Sequence, residues 1–155
     1  MATNSLTLKL PLRPKSIIID VELIVSSIIG QEEQNVSINA KALIDTGANG
    51  SCISARIASA CNLKPVSAMK MVSAHGLSLA QVYEVSILLP NKISFSSVPV
   101  VEVAGSKFFD VIIGMDILSQ SDFAFSSNNA ESCFSMRIPS ANQLIDLSDS
   151  VMTNS

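Results

Sequence analysis

Residues 42–54 read Ala-Leu-Ile-Asp-Thr-Gly-Ala-Asn-Gly-Ser-Cys-Ile-Ser, and the rest of the chain can be placed around them. Leu43 and Ile44 end an apolar run, so they predict the end of a buried strand. A carboxylate directly after such a strand is too costly to bury unpaired and belongs at a turn open to solvent or substrate, which makes Asp45 the first catalytic candidate. Thr46 offers a hydroxyl that both donates and accepts. Gly47 is expected to take backbone angles that a β-carbon forbids and to admit another chain closely. A second signal is Asp110-Val-Ile-Ile-Gly-Met-Asp-Ile-Leu118. Its apolar run Val111 to Ile113 reads as another buried strand, with Gly114 packed tightly against a neighbour.

Together the two stretches resemble the retropepsin-like aspartic proteases. Leu43-Ile44-Asp45-Thr46-Gly47-Ala48 matches the first half of that pattern and Ile112-Ile113-Gly114 the second, with 69 positions from Asp45 to Gly114 leaving room for a flap between them. Asp-Thr-Gly alone is a weak motif; with its flanks and its partner at this distance it is specific. The resemblance spans about residues 16 to 139. It implies a mainly all-β acid-protease barrel with a flap hairpin and one or two short helices. The retroviral pattern carries Asp after Asp-Thr-Gly-Ala and Arg after the second glycine, an ion pair supporting the dimer. Asn49 and Met115 stand there in this chain, which points to a cellular or bacterial branch and to a dimer held in another way.

The chain has 155 residues, enough for one core burying roughly two thirds of the unfolded surface. Residues 1–139 are expected to form one domain, 1–15 being an N-terminal arm or edge strand because of Pro11 and Pro14. Residues 140–155 are expected to be a polar tail, disordered at its end. Only 15% of residues are charged and the mean hydropathy is +0.43, so oligomerisation is the natural outlet for surplus apolar surface. A net charge of −3 without a basic run, and 5% aromatics, argue against nucleic acid as a partner. The N-terminus lacks a signal-peptide core. Ile17 to Ile29 is the most apolar stretch and is broken by Asp20 and Glu22, so no membrane span is expected. Cys52, Cys61 and Cys133 fit neither a disulfide framework nor a metal site. They read as packing thiols of a cytoplasmic protein, with no cofactor and no metal.

In order along the chain, 16–29 predicts a strand or a bent pair of strands, and 30–35 a polar turn. Val36, Ile38 and Ala40 alternate with polar residues toward Asp45. Ser54 is the predicted N-cap of a helix over 54–61, where Arg56 reads as a solvated charge in preference to cover for an edge. Met69 to Leu89 predicts a hairpin around Ala74-His75-Gly76, assigned as the flap, with Val72 on it and Gly76 at its tip. His75 is the sole histidine; it reads as an exposed turn residue, since no serine or cysteine signature accompanies it. Pro99 suggests that the strand within 92–103 runs near an edge. A short helix over 115–120 and two final strands complete the reading.

Hydrolysis by carboxylates needs two of them sharing a proton. Asp110 and Asp116 lack the Thr-Gly context, so the resemblance implies a symmetric homodimer in which Asp45 of each subunit meets across a two-fold axis. Thr46 would then lock the loops, with Ala48 and Asn49 at the substrate cleft, and Gly114 packing behind the loop. Ala48, Val72 and Ile113 suggest an apolar lining. Asp116 is expected to bond backbone groups at its helix start. The expected function is a homodimeric aspartic endopeptidase acting on peptides or proteins. The alternative is a catalytically weak or inactive dimerisation or peptide-binding module on the same fold, and a chance match in another β-rich protein is the remaining one.

Overall fold

A computed structural model describes residues 4–73 and 76–148 of the chain. The elements are β1 (Asn4–Pro11), β2 (Ile18–Ile29), β3 (Glu32–Ile44), β4 (Cys52–Ser54), α1 (Ala55–Ala60), β5 (Ser67–Ser73), β6 (Gly76–Leu88), β7 (Ser94–Val103), β8 (Val111–Ile113), α2 (Met115–Leu118), β9 (Asp122–Ser127) and β10 (Glu131–Ile138). Strands dominate and the helices are short, as the all-β retropepsin-like reading requires.

Period-two alternation builds the core. In β2, Ile19, Val21, Leu23 and Val25 are buried while Asp20 is exposed, and in β3 the buried set is Ala40, Ala42 and Ile44. The long β2–β3 hairpin is antiparallel throughout, from Ile18 opposite Leu43 to Ile29 opposite Glu32. Its turn is tighter than the polar composition of 30–35 suggested. Gly30 alone takes the left-handed conformation, at φ +69°, and Glu32 to Asn35 already belong to β3. The Ser26 hydroxyl donates to Glu33 across the strands, which shows how polar residues are accommodated on this exposed end.

Seven strands form one sheet in the order β2-β3-β8-β4-β7-β6-β5, and β2 pairs again with β6, so the sheet curls back on itself. β4 was not separable from the loop by sequence; it pairs parallel with β7 and antiparallel with β8. β7 is therefore an interior strand. Pro99 is tolerated because β4 reaches only Val101 to Val103, leaving β7 with a single neighbour, β6, at Pro99.

The second sheet has the order β1-β10-β9. The N-terminal segment is an edge strand here, paired along its length from Asn4–Ile138 to Pro11–Glu131. Phe134 and Met136 of β10 point into the core, flanked by half-buried Leu6 and Leu8. Beyond it, Ile138-Pro139 is a cis peptide, and Asp122 accepts bonds from the Ser140 hydroxyl and the Ala141 amide, tying residues 140 and 141 to the start of β9.

Candidate active site

Parallel strands β3 and β8 form the seat of the site, with Ala42, Leu43 and Ile44 opposite Val111, Ile112 and Ile113. Asp45 is the first residue past β3. Its amide still donates to the Ile113 carbonyl at 3.0 Å, so the aspartate leaves the sheet from a fixed point. The chain then turns sharply: the Gly47 amide donates to Asp45 Oδ1 at 2.8 Å and the Ala48 amide to the Asp45 carbonyl at 3.3 Å. Asp45 is half-buried, while Thr46, Gly47 and Asn49 are exposed. A half-buried carboxylate held by its own turn, at the edge of an exposed loop, is chemically available.

Gly47 does not take the left-handed backbone expected of it; among the described residues only Gly30, Gly76 and Gly105 do so as glycines. Its lack of a side chain matters for space instead, since a β-carbon would stand 3.2 Å from Asp45 Oδ1. Gly114 fits its expectation fully. A β-carbon there would stand 2.7 Å from the Gly50 carbonyl carbon and oxygen and 2.9 Å from the Ala48 oxygen. The backbone of the loop lies directly on this glycine, and the Met115 amide donates to the Ala48 carbonyl at 2.8 Å.

Ile113 is completely buried, so it packs behind the loop and lines no cleft. Val72 is 82% exposed on the β5–β6 hairpin, paired with Leu77, also exposed. The hairpin closes at Ser73 opposite Gly76, whose φ is +109°. Ala74 and His75, assigned to the tip, lie outside the described residues.

Neither other carboxylate is free to act as a second catalytic group in the same subunit. Asp110 sits at the start of β8, the end opposite Gly114. It accepts from the Ser54 hydroxyl at 2.8 Å and from both Nε and a terminal nitrogen of Arg56. Arg56 is mostly exposed, as a solvated helix charge would be, yet it is also paired: a two-pronged guanidinium bond fastens α1 to Asp110, just ahead of β8. Asp116 accepts from the Ser51 hydroxyl at 2.8 Å, the Ser51 amide at 3.0 Å and the Ile117 amide at 3.0 Å. Its expected structural role at the helix start is present, and it reaches further than the helix. Ser54 caps α1 as predicted, accepting from the Ile57 amide at 3.3 Å.

Fully buried Ser51, which sequence reasoning missed, is a junction of this network, its hydroxyl also accepting from the Gly114 amide at 3.2 Å. In a run of small polar residues it carries no periodic signal. Next to it, the Cys52 thiol is pushed above its ordinary value by burial first, and then by the charges of Asp116 and Asp45. The three cysteines are unpaired. A concavity of about 690 Å³ lies elsewhere, lined by Glu33, Leu63, Lys64 and Tyr83 among others, and includes no part of the Asp45 loop.

A curled β-sheet that presents an Asp-Thr-Gly turn from a parallel strand pair, with a glycine packed beneath it, defines the class as an aspartic protease fold with one Asp-Thr-Gly loop per chain. The chain belongs to the family described as gag-polyprotein putative aspartyl protease, which matches residues 34–120, more than half of its length. Its family and fold are those of the retropepsin-like aspartic proteases. Among solved structures it is similar to a retropepsin-like aspartic protease from Rickettsia conorii, at 14% identity and a TM-score of 0.53, over 88% of this chain and 97% of that one. It also matches Simian Foamy Virus (mac) protease, at 13% identity and a TM-score of 0.46, over 66% of this chain and 92% of that one. A third match is the retroviral protease-like domain of Ddi1 from Leishmania major, at 23% identity and a TM-score of 0.37, over 72% and 92% respectively. No curated protein matches the chain. Among the described residues no helix is long and apolar enough to cross a membrane.

Proposed function

We propose that the protein is a homodimeric aspartic endopeptidase whose reacting centre is Asp45 from each of two subunits. The observation that carries this reading is the state of the three carboxylates. Asp45 stands in an exposed turn and, among the described residues, takes only the Gly47 amide on its side chain, whereas Asp110 and Asp116 are consumed by Ser54, Arg56 and Ser51. One subunit then has half a site, and a second copy supplies the other half.

In the dimer one Asp45 is ionised and its counterpart protonated, because two adjacent carboxylates cannot both be charged without strong repulsion. The charged one takes a proton from a water held between them, and the water oxygen attacks the peptide carbonyl carbon. The protonated one donates to the carbonyl oxygen, giving a neutral tetrahedral diol. Collapse of the diol breaks the C–N bond as the now-protonated carboxyl gives its proton to the amide nitrogen and the now-ionised one takes a proton from a diol hydroxyl, releasing an amine and a carboxylic acid and restoring the pair. Thr46 joins the two loops, Gly47, Ala48 and Asn49 border the substrate backbone, and the β5–β6 hairpin covers it, excluding water and offering extended-strand hydrogen bonds. Val72, Leu77 and Leu79 share one face of that hairpin and are all exposed, which supports a preference for apolar residues near the scissile bond.

The test is digestion of a diverse peptide mixture by the wild type and by Asp45→Asn, read by mass spectrometry from mildly acidic to neutral pH. Products seen only with the wild type support the proposal. Silence from a folded, dimeric wild type assigns the fold to peptide binding or assembly instead.

A further inference from the structure

We propose that Asp116 is the positioning residue of the catalytic loop, acting through Ser51. The proposal rests on the proteolytic reading for its kinetic consequence, but the clamp itself is a matter of hydrogen bonds. Asp116 is anchored on α2, where its Oδ1 accepts from the Ile117 amide and its main-chain carbonyl accepts from the Gln120 side chain at 2.8 Å. The same carboxylate takes both donors of Ser51, hydroxyl on Oδ1 and amide on Oδ2. The Ser51 hydroxyl in turn accepts from the Gly114 amide. Ser51 also passes its carbonyl to the Val101 amide at 3.2 Å, which joins the loop to β7.

The loop from Asp45 to Ser51 is therefore fastened at both ends. Its start is held by the Asp45 amide on Ile113, its middle by the Ala48 carbonyl on Met115, and its end by the Asp116 carboxylate. Thr46, Gly47, Asn49 and Gly50 between these points are exposed. A carboxylate is suited to the third anchor because it presents acceptors on two oxygens to a residue presenting two donors, and charged acceptors make the stronger bonds. Asparagine at this position would offer one acceptor and turn an NH₂ toward the remaining donor. Asp116 does not touch the reacting atoms; it determines where Asp45 stands relative to its counterpart, a placement in which errors of about 1 Å cost on the order of a hundredfold in rate.

The experiment pairs hydrogen exchange with kinetics on the full chain, for wild type, Asp116→Ala, Asp116→Asn, Ser51→Ala and the Asp116→Ala/Ser51→Ala double variant, with dimer content checked by sedimentation. Peptides covering 45–54 should exchange roughly tenfold faster in Asp116→Ala, with β2–β3 and β6–β7 protected as before. The value of kcat should fall roughly thirtyfold with KM within about twofold in Asp116→Ala, and the double variant should lose less than the product of the two single losses, since both substitutions remove the bond from the Ser51 hydroxyl to Asp116. Asp116→Asn should lie between Asp116→Ala and wild type, and it carries the test should Asp116→Ala fail to fold. Unchanged exchange over 45–54 in Asp116→Asn, or a fall in Tm with kcat intact, overturns the proposal. A wild type without peptidase activity defeats the proteolytic reading alone, because the exchange measurement still decides the clamp.

Discussion

Asp45 and Gly114 are each placed by a backbone contact, the first by a hydrogen bond from its amide to Ile113 and the second by carrying the loop backbone on its bare α-carbon. Removing the charge without changing shape isolates the chemistry. Asp45→Asn is expected to lower kcat by at least about a thousandfold, the scale of lost acid–base catalysis, while Tm stays within a few degrees. A variant retaining a tenth of wild-type turnover would move the chemistry off Asp45. Gly114→Ala is the converse case. Its new methyl would meet backbone atoms at 2.7 Å, which rigid main chain cannot yield cheaply, so a loss of about 1–3 kcal/mol is expected in urea unfolding. Unchanged stability would show that the loop does not rest on this glycine. Both residues were legible in the sequence because a strand running into a charged or bare residue is a local signal. Ser51 was not, because its role is defined by Asp116, 65 positions away.

At the scale of elements, what neighbouring residues encode was readable and what distant ones decide was not. Alternation in β2 and β3, the cap at Ser54 and the hairpin ending at Gly76 follow from local chemistry, whereas the pairing of β1 with β10 and the insertion of β4 between β7 and β8 depend on partners far along the chain. Arg56 shows the same limit. An exposed arginine on a short helix reads as solvated until Asp110 is brought to it. Because Arg56 is mostly exposed, its ion pair is worth no more than about 1 kcal/mol, and Arg56→Ala should cost little. Asp110→Ala should cost more, on the order of 1–3 kcal/mol, since buried Ser54 then loses its acceptor. Equal losses for the two variants in chemical denaturation would contradict this ordering. Asp122 supplies a pH-dependent counterpart. Bonds from the Ala141 amide, Ser140 and Arg137 hold it at about 2, below its ordinary 3.8. Its folded value being depressed, its contribution is complete above the unfolded value and is lost as pH falls from about 4 toward 2. Tm against pH for wild type and Asp122→Asn should therefore converge in that window, and parallel curves would count against the bond set.

For the whole molecule, the unresolved balance of apolar surface and charge becomes a statement about assembly. Val72, Leu77 and Leu79 on the β5–β6 hairpin, Phe123 and Phe125 on β9, and Leu144 and Leu147 beyond β10 all remain substantially exposed in the single subunit. With Asn49 and Met115 in place of an Asp–Arg pair, a dimer of this chain would draw on such apolar contacts more than on ion pairs. Its association should then be only weakly weakened by added salt, since screening acts on exposed charges and not on apolar burial. If Asp45 acts in pairs, the rate per chain must follow the fraction of chains in dimers. Well above the dissociation constant it should be constant, and well below it the rate per chain should fall in proportion to concentration. A dilution series read by peptide cleavage, with sedimentation over the same range, should give one midpoint for both curves, and that midpoint should move little between low and high salt. A rate per chain that stays level while sedimentation reports monomers would mean that one subunit holds a complete site, and the pairing of Asp45 with Asp45 would have to be abandoned.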